Sequence, residues 1–497
     1  MKKIFQLMAL AFAVMTLGAC SDFLEEYSQD EFEPETTTAF DELLMGAGYN
    51  FAFHMGEMLD ILSDDAANVN PNPSTPQYYY TAQTDMLLEA FSWQSTIYQS
   101  LEEKTSNAVS GNEKLYQDLY GKIMPCNIVI ESTPESQGSD ADKANVMGQA
   151  YALRAMYYFQ LVNLYAKPYN TEGTTPDRLA GVPLITASEI LDEGPARSSV
   201  AAVYTQIAYD IEQAVTLLGQ EKRNNGLLRI GYTAACAFAS RVFLYMEQWD
   251  KVVEYATEAL RYAPKLANYN TFDWGYTNAY NKPSSGANHI LTRNYPENIW
   301  LGGFMSSYWQ LTGGYTFTVS PNLTSMYADN DVRKTEYFSS NWTGGYVWHK
   351  AGNTSEFSSV IRTAELYLNR AEAYMEQYAA GQADAGAKAV ADLNELCRNR
   401  YTNYTAYALS TADALREELR AERRRELCFE GHRWFDLRRY GMPQIEHIFI
   451  DAANVANKYT LQAGDPAYVL PFPPAALMRN PNLEQNELAP RREPTGV

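Results

Sequence analysis

The sequence predicts a mostly α chain: a tetratricopeptide-like superhelix of paired helices carrying an irregular, loop-rich subdomain with few short strands. Three observations carry this expectation. Apolar residues recur at helical spacing in segment after segment on both sides of the middle of the chain. Two of those segments, Thr233–Met246 and Trp249–Tyr262, are close enough in sequence to pair antiparallel. Ala259 and Pro264 stand where a tetratricopeptide repeat wants a small residue and a terminating proline. Between Asn268 and Ser320 the helical period stops, and aromatic residues sit instead among Gly, Asn, Ser and Pro, which is loop and short-strand chemistry.

Residues 1–20 read as a targeting segment outside the fold. Lys2 and Lys3 form a positive start, Ile4–Leu17 a short apolar run, and Leu17-Gly18-Ala19-Cys20 resembles the lipobox of bacterial lipoproteins. That resemblance implies cleavage before Cys20, whose sulfur would then carry a diacylglyceryl group. Residues 21–38 are acidic and without period, so they read as a tether, and residues 39–497 as one domain.

Within the domain, apolar spacing is helical from Thr38 to about Leu62. Asp64 to Pro73 then reads as a loop rich in short polar groups, without the spacing or the bidentate Glu of a calcium-binding loop. Helices are expected over about Asn112–Glu131, Lys143–Tyr165 and Val203–Leu218, then over the pair already named. Trp342, Trp348 and His349 fall in a Gly-rich loop. Further helices are expected over Arg362–Tyr378, Asp384–Arg400 and from a Ser410/Thr411 cap through Leu427, with Gly431 as a stop. Residues Ala467–Asn486 read as an extended, Pro-rich tail.

The third of these last helices leads into Arg423-Arg424-Arg425-Glu426-Leu427-Cys428-Phe429-Glu430-Gly431-His432-Arg433. Glu422–Arg425 and Arg423–Glu426 stand three apart and can pair along the helix. With no Gly-rich phosphate cradle beside it, the cluster reads as an ion-pair network tying helices together. Cys126, Cys236, Cys397 and Cys428 are scattered singly and read as small buried apolar groups, with a Cys397–Cys428 disulfide left open.

A net charge of −21 excludes nucleic acid and anionic membrane as natural partners. The five histidines lie far apart without metal-binding spacing, and neither a Gly-x-Ser-x-Gly elbow nor a nucleotide fingerprint occurs. No catalytic residue, metal or cofactor is assigned.

Arg362-x-Ala364-Glu365-Leu366-Tyr367-Leu368-Asn369-Arg370-Ala371-Glu372-Ala373-Tyr374, then Leu393-Asn394-x3-Arg398-x-Arg400, then Glu422-Arg423-x2-Glu426-Leu427-x-Phe429-Glu430-Gly431-x-Arg433-Trp434-Phe435-Asp436-Leu437-x-Arg439, resembles the C-terminal signature of the SusD/RagB family. Leu153-Arg154-Ala155, Asp331-x-Arg333 and the closing Asn480-Pro481-x-Leu483-x-Gln485-Asn486 are also similar to that family; residues 266–320 are not. The resemblance implies an outer-membrane, surface-exposed lipoprotein that binds oligosaccharide and caps a SusC-like TonB-dependent transporter. It also leaves open a peptide-handling member of the RagB branch, or a tetratricopeptide scaffold without a small ligand.

A neutral sugar offers an apolar ring face and a rim of hydroxyls, so its site needs flat aromatics and a few placed polar groups. Aromatics on loops are the better candidates, because those on helices usually fill the core. This selects Trp93, Trp274, Tyr276, Tyr308, Trp309 and Tyr315, with Asp64, Asp65 and Asn68 as polar partners, and places the ligand-binding loops mainly in residues 266–350.

Overall fold

The computed structural model describes residues 34–49, 55–68, 82–98, 115–189, 191–275, 288–303, 317–340, 346–348, 350, 357–408, 410–451, 453 and 455–497. The targeting segment, Cys20 and most of the acidic tether lie outside the described residues.

The helices of seven residues or more are Thr37–Leu43 (α1), Met55–Leu62 (α2), Ala82–Phe91 (α3), Leu115–Ser132 (α4), Asp140–Tyr165 (α5), Val200–Leu218 (α6), Tyr232–Tyr245 (α7), Trp249–Tyr262 (α8), Thr363–Ala379 (α9), Ala383–Arg398 (α10), Ala412–Leu427 (α11) and Arg433–Arg439 (α12). A π-helical turn, Leu44–Gly48, continues α1. Helix follows helix in packing as in sequence: α5 on α4, α6 on α5, α7 on α6, α8 on α7, α9 on α8, and α10 and α11 on α9. That nearest-neighbour stacking is the expected superhelix, in which each pair buries the face left open by the one before. Ala239, Ser240, Ala256 and Ala259 are fully buried, and their small size lets α7 and α8 approach closely.

Helix α5 is the mast of the molecule. Ser139 caps its start, its hydroxyl accepting from Asp142 N at 3.1 Å, and Asp140 and Asp142 sit in the first turn where the helix dipole favours negative charge. It is buried on nearly every side from Ala144 to Tyr165. Its C-terminal carbonyls point into protein and would be costly unpaired. The buried guanidinium of Arg438 donates to Asn163 O and Ala166 O, and Asn486 Nδ2 donates to Tyr165 O at 2.9 Å. The tail is thereby fixed against α5. It is not wholly extended: Pro474–Arg479 forms a short helix, begun by prolines whose fixed φ suits a first turn.

The strands are Ala66–Asn68 (β1), Asn298–Gly302 (β2), Phe317–Val319 (β3), Phe338–Ser340 (β4), Tyr346–Trp348 (β5), Ser359–Arg362 (β6), Ile445–Ile450 (β7), Ala456–Leu461 (β8) and Thr495–Gly496 (β9). They form three antiparallel sheets, ordered β1-β3-β5-β4, β2-β6 and β7-β8-β9. Two loop expectations are corrected here. Residues 66–68 and 346–348 are strands, each only three residues long, made regular by partners distant in sequence. All four described cysteines are buried and free, so Cys397 and Cys428 are not joined.

Candidate functional site

The site rests on a buried ionic platform. Glu426, on α11, is wholly buried and faces three guanidiniums: Arg362 Nη1 at 2.6 Å, Arg333 Nη1 at 2.8 Å and Arg400 Nη2 at 2.9 Å. Arg333 also takes Asp331 at 2.8 Å and Glu422 at 2.6 Å, Arg400 takes Glu297 at 2.8 Å, and Arg362 takes Glu430 at 2.8 Å. Burial alone would raise the Glu426 carboxyl, but Arg400, Arg362 and Arg333 hold it well below the usual carboxylate range. The expected Glu422–Arg425 pair is present at 2.8 Å, but Arg423 does not pair with Glu426. It reaches Asp436 on α12 at 2.9 Å instead. The cluster is scaffold, joining α9, α10, α11 and the short helix Arg333–Glu336.

The platform sets the acid limit of the fold. His432 is buried, and burial together with Arg241 and Arg423 holds its imidazole well below its ordinary value of 6.5. The unfolded chain takes up that proton near pH 6.5 and the folded chain refuses it, so this stability is complete above pH 6.5 and falls below it. Glu426, Glu430 and Asp436 are also held low, by the arginines beside them, and their contribution is lost at still lower pH. The midpoint of urea unfolding should be flat from pH 7 to 8, decline from about pH 6 and fall steeply below about pH 4.5. His432→Gln should shrink the first decline but not abolish it, because burial also pushes the His447 imidazole down, to about 4.

The four-stranded sheet carries the segments that the sequence analysis singled out. Its register pairs Asn68 with Phe317, and Phe338 with Trp348, while Val319 pairs with Tyr346. Asn68, Phe317, Trp348 and Phe338 therefore lie at one end. The chain after Asn68 and the chain before Phe317 both join the sheet there. Tyr308, Trp309 and Tyr315 lie outside the described residues, and their segment ends at Phe317. Tyr276 also lies outside them. The chain around it leaves at Gly275 and returns at Asn288, whose N donates to Trp274 O at 3.2 Å. Trp274 meets Tyr269 at 4.8 Å between ring centroids, and Tyr269 OH lies 3.0 Å from Tyr337 OH, one residue before Phe338. The segment bearing Tyr308, Trp309 and Tyr315 thus joins the sheet at the end where Asn68 pairs with Phe317.

The structure engages the other candidates with groups of the protein itself. Trp274 is 5% exposed and Trp93 2% exposed. Trp93 has φ 52°, which turns the indole inward; Nε1 donates to Leu62 O at 2.8 Å and the ring stacks on His447 at 4.2 Å. Asp64 and Asp65 lie at the opposite end of β1, where Ser320 N donates to Asp65 O at 2.7 Å. Asp64 takes Arg433 through both oxygens at 2.7 and 2.8 Å, and Asp65 takes Arg424 Nε at 2.7 Å. Burial would raise the Asp64 carboxyl, but Arg424 and Arg433 hold it at about 2. Burial pushes Asp65 up. Asn68 stands at the right end, but its Oδ1 accepts from Ile450 N at 2.7 Å.

The sequence analysis missed β7, which carries His447 beneath this sheet. Its signal was present: Ile445, His447 and Phe449 are buried while Glu446 and Ile448 are exposed, a period of two. Tyr269 and Tyr337 had no such signal in a chain with 37 tyrosines.

A concavity of about 340 Å³ lies between the start of α4 and the short C-terminal helix, among Tyr116, Tyr120, Pro183, Pro473 and Arg479. Tyr120 is already engaged, its hydroxyl donating to Pro183 O at 2.7 Å. No group of His, Cys, Asp and Glu suited to a metal ion occurs among the described residues.

Known proteins share this architecture. The family model described as "SusD family" matches residues 254–488, and a second, "Starch-binding associating with outer membrane", matches residues 22–244. The SusD-like protein P38 of Formosa agariphila is 23% identical over 383 residues, covering 65% of this chain and 71% of its own. A putative sugar binding protein from Bacteroides vulgatus superposes with a TM-score of 0.68 at 22% identity, over 92% of this chain and 99% of that one. A laminarin binding SusD-like protein superposes at 0.58 and 21% identity, over 90% and 96%.

Proposed function

The chain belongs to the SusD family, and from that premise we propose that it captures a neutral oligosaccharide at the outer membrane and passes it to a SusC-like TonB-dependent transporter. The observation that carries the reading is the convergence at one sheet end. The segments bearing Tyr308, Trp309 and Tyr315, and that bearing Tyr78, Tyr79 and Tyr80, join the sheet where Phe317 faces Asn68. Aromatic faces there would stack on the apolar face of a pyranose, and polar groups on the same segments would take its hydroxyls. The laminarin-binding structural neighbour supports a glucan as the first glycan to try.

The task is binding and delivery rather than catalysis. Cys20 carries the lipid anchor, and the acidic residues after it form the tether on which the protein opens and closes over the transporter barrel. Among the described residues no helix is long and apolar enough to cross a membrane. Tethering also keeps the local concentration high, so modest affinity is enough.

One observation favours a second reading, capture of peptide. The 340 Å³ groove walled by Tyr116, Tyr120, Pro183 and Pro473 suits an extended apolar chain better than it suits a sugar. A glycan array and a peptide library, both probed with residues 21–497, separate the two. Saturable binding of a neutral glycan is expected, together with retention of a barrel transporter from solubilised outer membranes. Binding of peptides alone would overturn the glycan reading.

A further inference from the structure

A cavity of about 90 Å³ is partly enclosed between α5, α7, the β2–β6 ribbon and the turn at Gly431. Its walls are aromatic, with Phe159, Phe238, Tyr245, Trp300 and Phe435 among them. Two residues of that lining each carry an unpaired polar atom. Trp300 is 6% exposed, and its Nε1 has no hydrogen-bond partner; the buried Oε1 of Gln160 has none either. A buried donor or acceptor without a partner costs about 1–3 kcal/mol, so a donor and an acceptor left together on one cavity imply something that fills it.

The charges in the wall are already matched. Arg241 is held by Glu365 at 2.6 Å, and Glu430 by Arg362 at 2.8 Å. No net charge remains for an ionic guest. Trp300 is held in place by its neighbour: its ring lies so close over Gly302 that a Cβ there would stand 2.2 Å from a ring carbon. The rim includes Gly303 and Ser358, which lie side by side because Ser358 N donates to Gly302 O at 3.2 Å.

We infer that this cavity binds a short neutral polyol, one hydroxyl accepting from Trp300 Nε1 and another donating to Gln160 Oε1. Its volume holds several waters at about 10–15 Å³ each, which a three-carbon polyol replaces while its carbons rest on the aromatic walls. The same chemistry has two sources: a free polyol such as glycerol, or the hydroxymethyl edge of a longer sugar. The second source rests on the oligosaccharide reading above.

Saturation-transfer NMR of glycerol with residues 21–497 tests the site, using Trp300→Phe to remove the donor and Gln160→Leu to remove the acceptor. Both variants should melt no lower than the parent, since each deletes an unpaired polar atom. Saturable transfer is expected in the parent, weakened at least about tenfold in both variants, as loss of one buried hydrogen bond would give. Affinity for a laminarin oligosaccharide is measured on the same proteins. If it falls in parallel, the cavity takes the edge of the glycan; if it stays constant while glycerol is lost, the guest is a free polyol. Glycerol binding that persists when no glycan binds would sink the oligosaccharide reading and leave this one standing. No glycerol transfer in the parent, equal transfer in all three proteins, or a high-resolution structure in glycerol with water alone in the cavity would overturn the assignment.

Discussion

Glu426→Gln is expected to cost about 3–5 kcal/mol of stability, the largest effect of any single platform change. The reason is the number of charges left behind. Arg333, Arg362 and Arg400 all point at this carboxylate, and all three are fully buried. A neutral amide of the same shape keeps the volume and removes the charge, so the loss measures electrostatics and not packing. Exposed pairs are a useful contrast: Lys388→Ala, which breaks a pair with Asp384 on the surface of α10, should leave stability almost unchanged. Urea unfolding of the three proteins at pH 7 checks both expectations. A Glu426→Gln protein as stable as the parent would show that the platform does not hold the fold.

The second large effect separates two tryptophans that look alike in the sequence. Trp309→Ala should weaken glycan binding by about 30-fold or more, as loss of a central aromatic contact does, and should leave the melting temperature within a degree or two. Trp274→Ala should do the reverse. Its ring is packed among Tyr269, Phe272 and Tyr295, so truncation leaves a hole in the core and costs about 3–5 kcal/mol. Calorimetric titration beside thermal unfolding reads both properties from one preparation. Loss of binding in Trp274→Ala without loss of stability would return that residue to the site.

The helical half of the fold was legible because amphipathic helices advertise their buried face every three or four residues. The helix over Arg362–Tyr378, expected from Ala364, Leu368, Ala371 and Met375, runs from Thr363 to Ala379 with all four buried. The ionic cluster was legible as scaffold, but its pairing was not. Pairs three apart on a helix contribute only a few tenths of a kcal/mol, so tertiary partners decide, and Arg423 turns to Asp436. Strands of three residues carry too little pattern to be seen, which is why β1 and β5 read as loops. The inward turn of Trp93 was hidden for a related reason. A tryptophan beside a helix end can turn either way, and here a positive φ turns it into the core, a choice that depends on His447 far along the chain. What sequence could not supply was convergence: only the register of β1 with β3 brings the chain after Asn68 and the chain before Phe317 to the same place.

That convergence is the centre of the account, and a structure of residues 21–497 with a bound neutral oligosaccharide tests it most directly. The account predicts sugar at the end of the sheet marked by Asn68, Phe317, Trp348 and Phe338, with a pyranose face on aromatics of the 304–316 segment. Sugar seated instead in the groove between Tyr116 and Pro473, or along the helices of the superhelix, would contradict it.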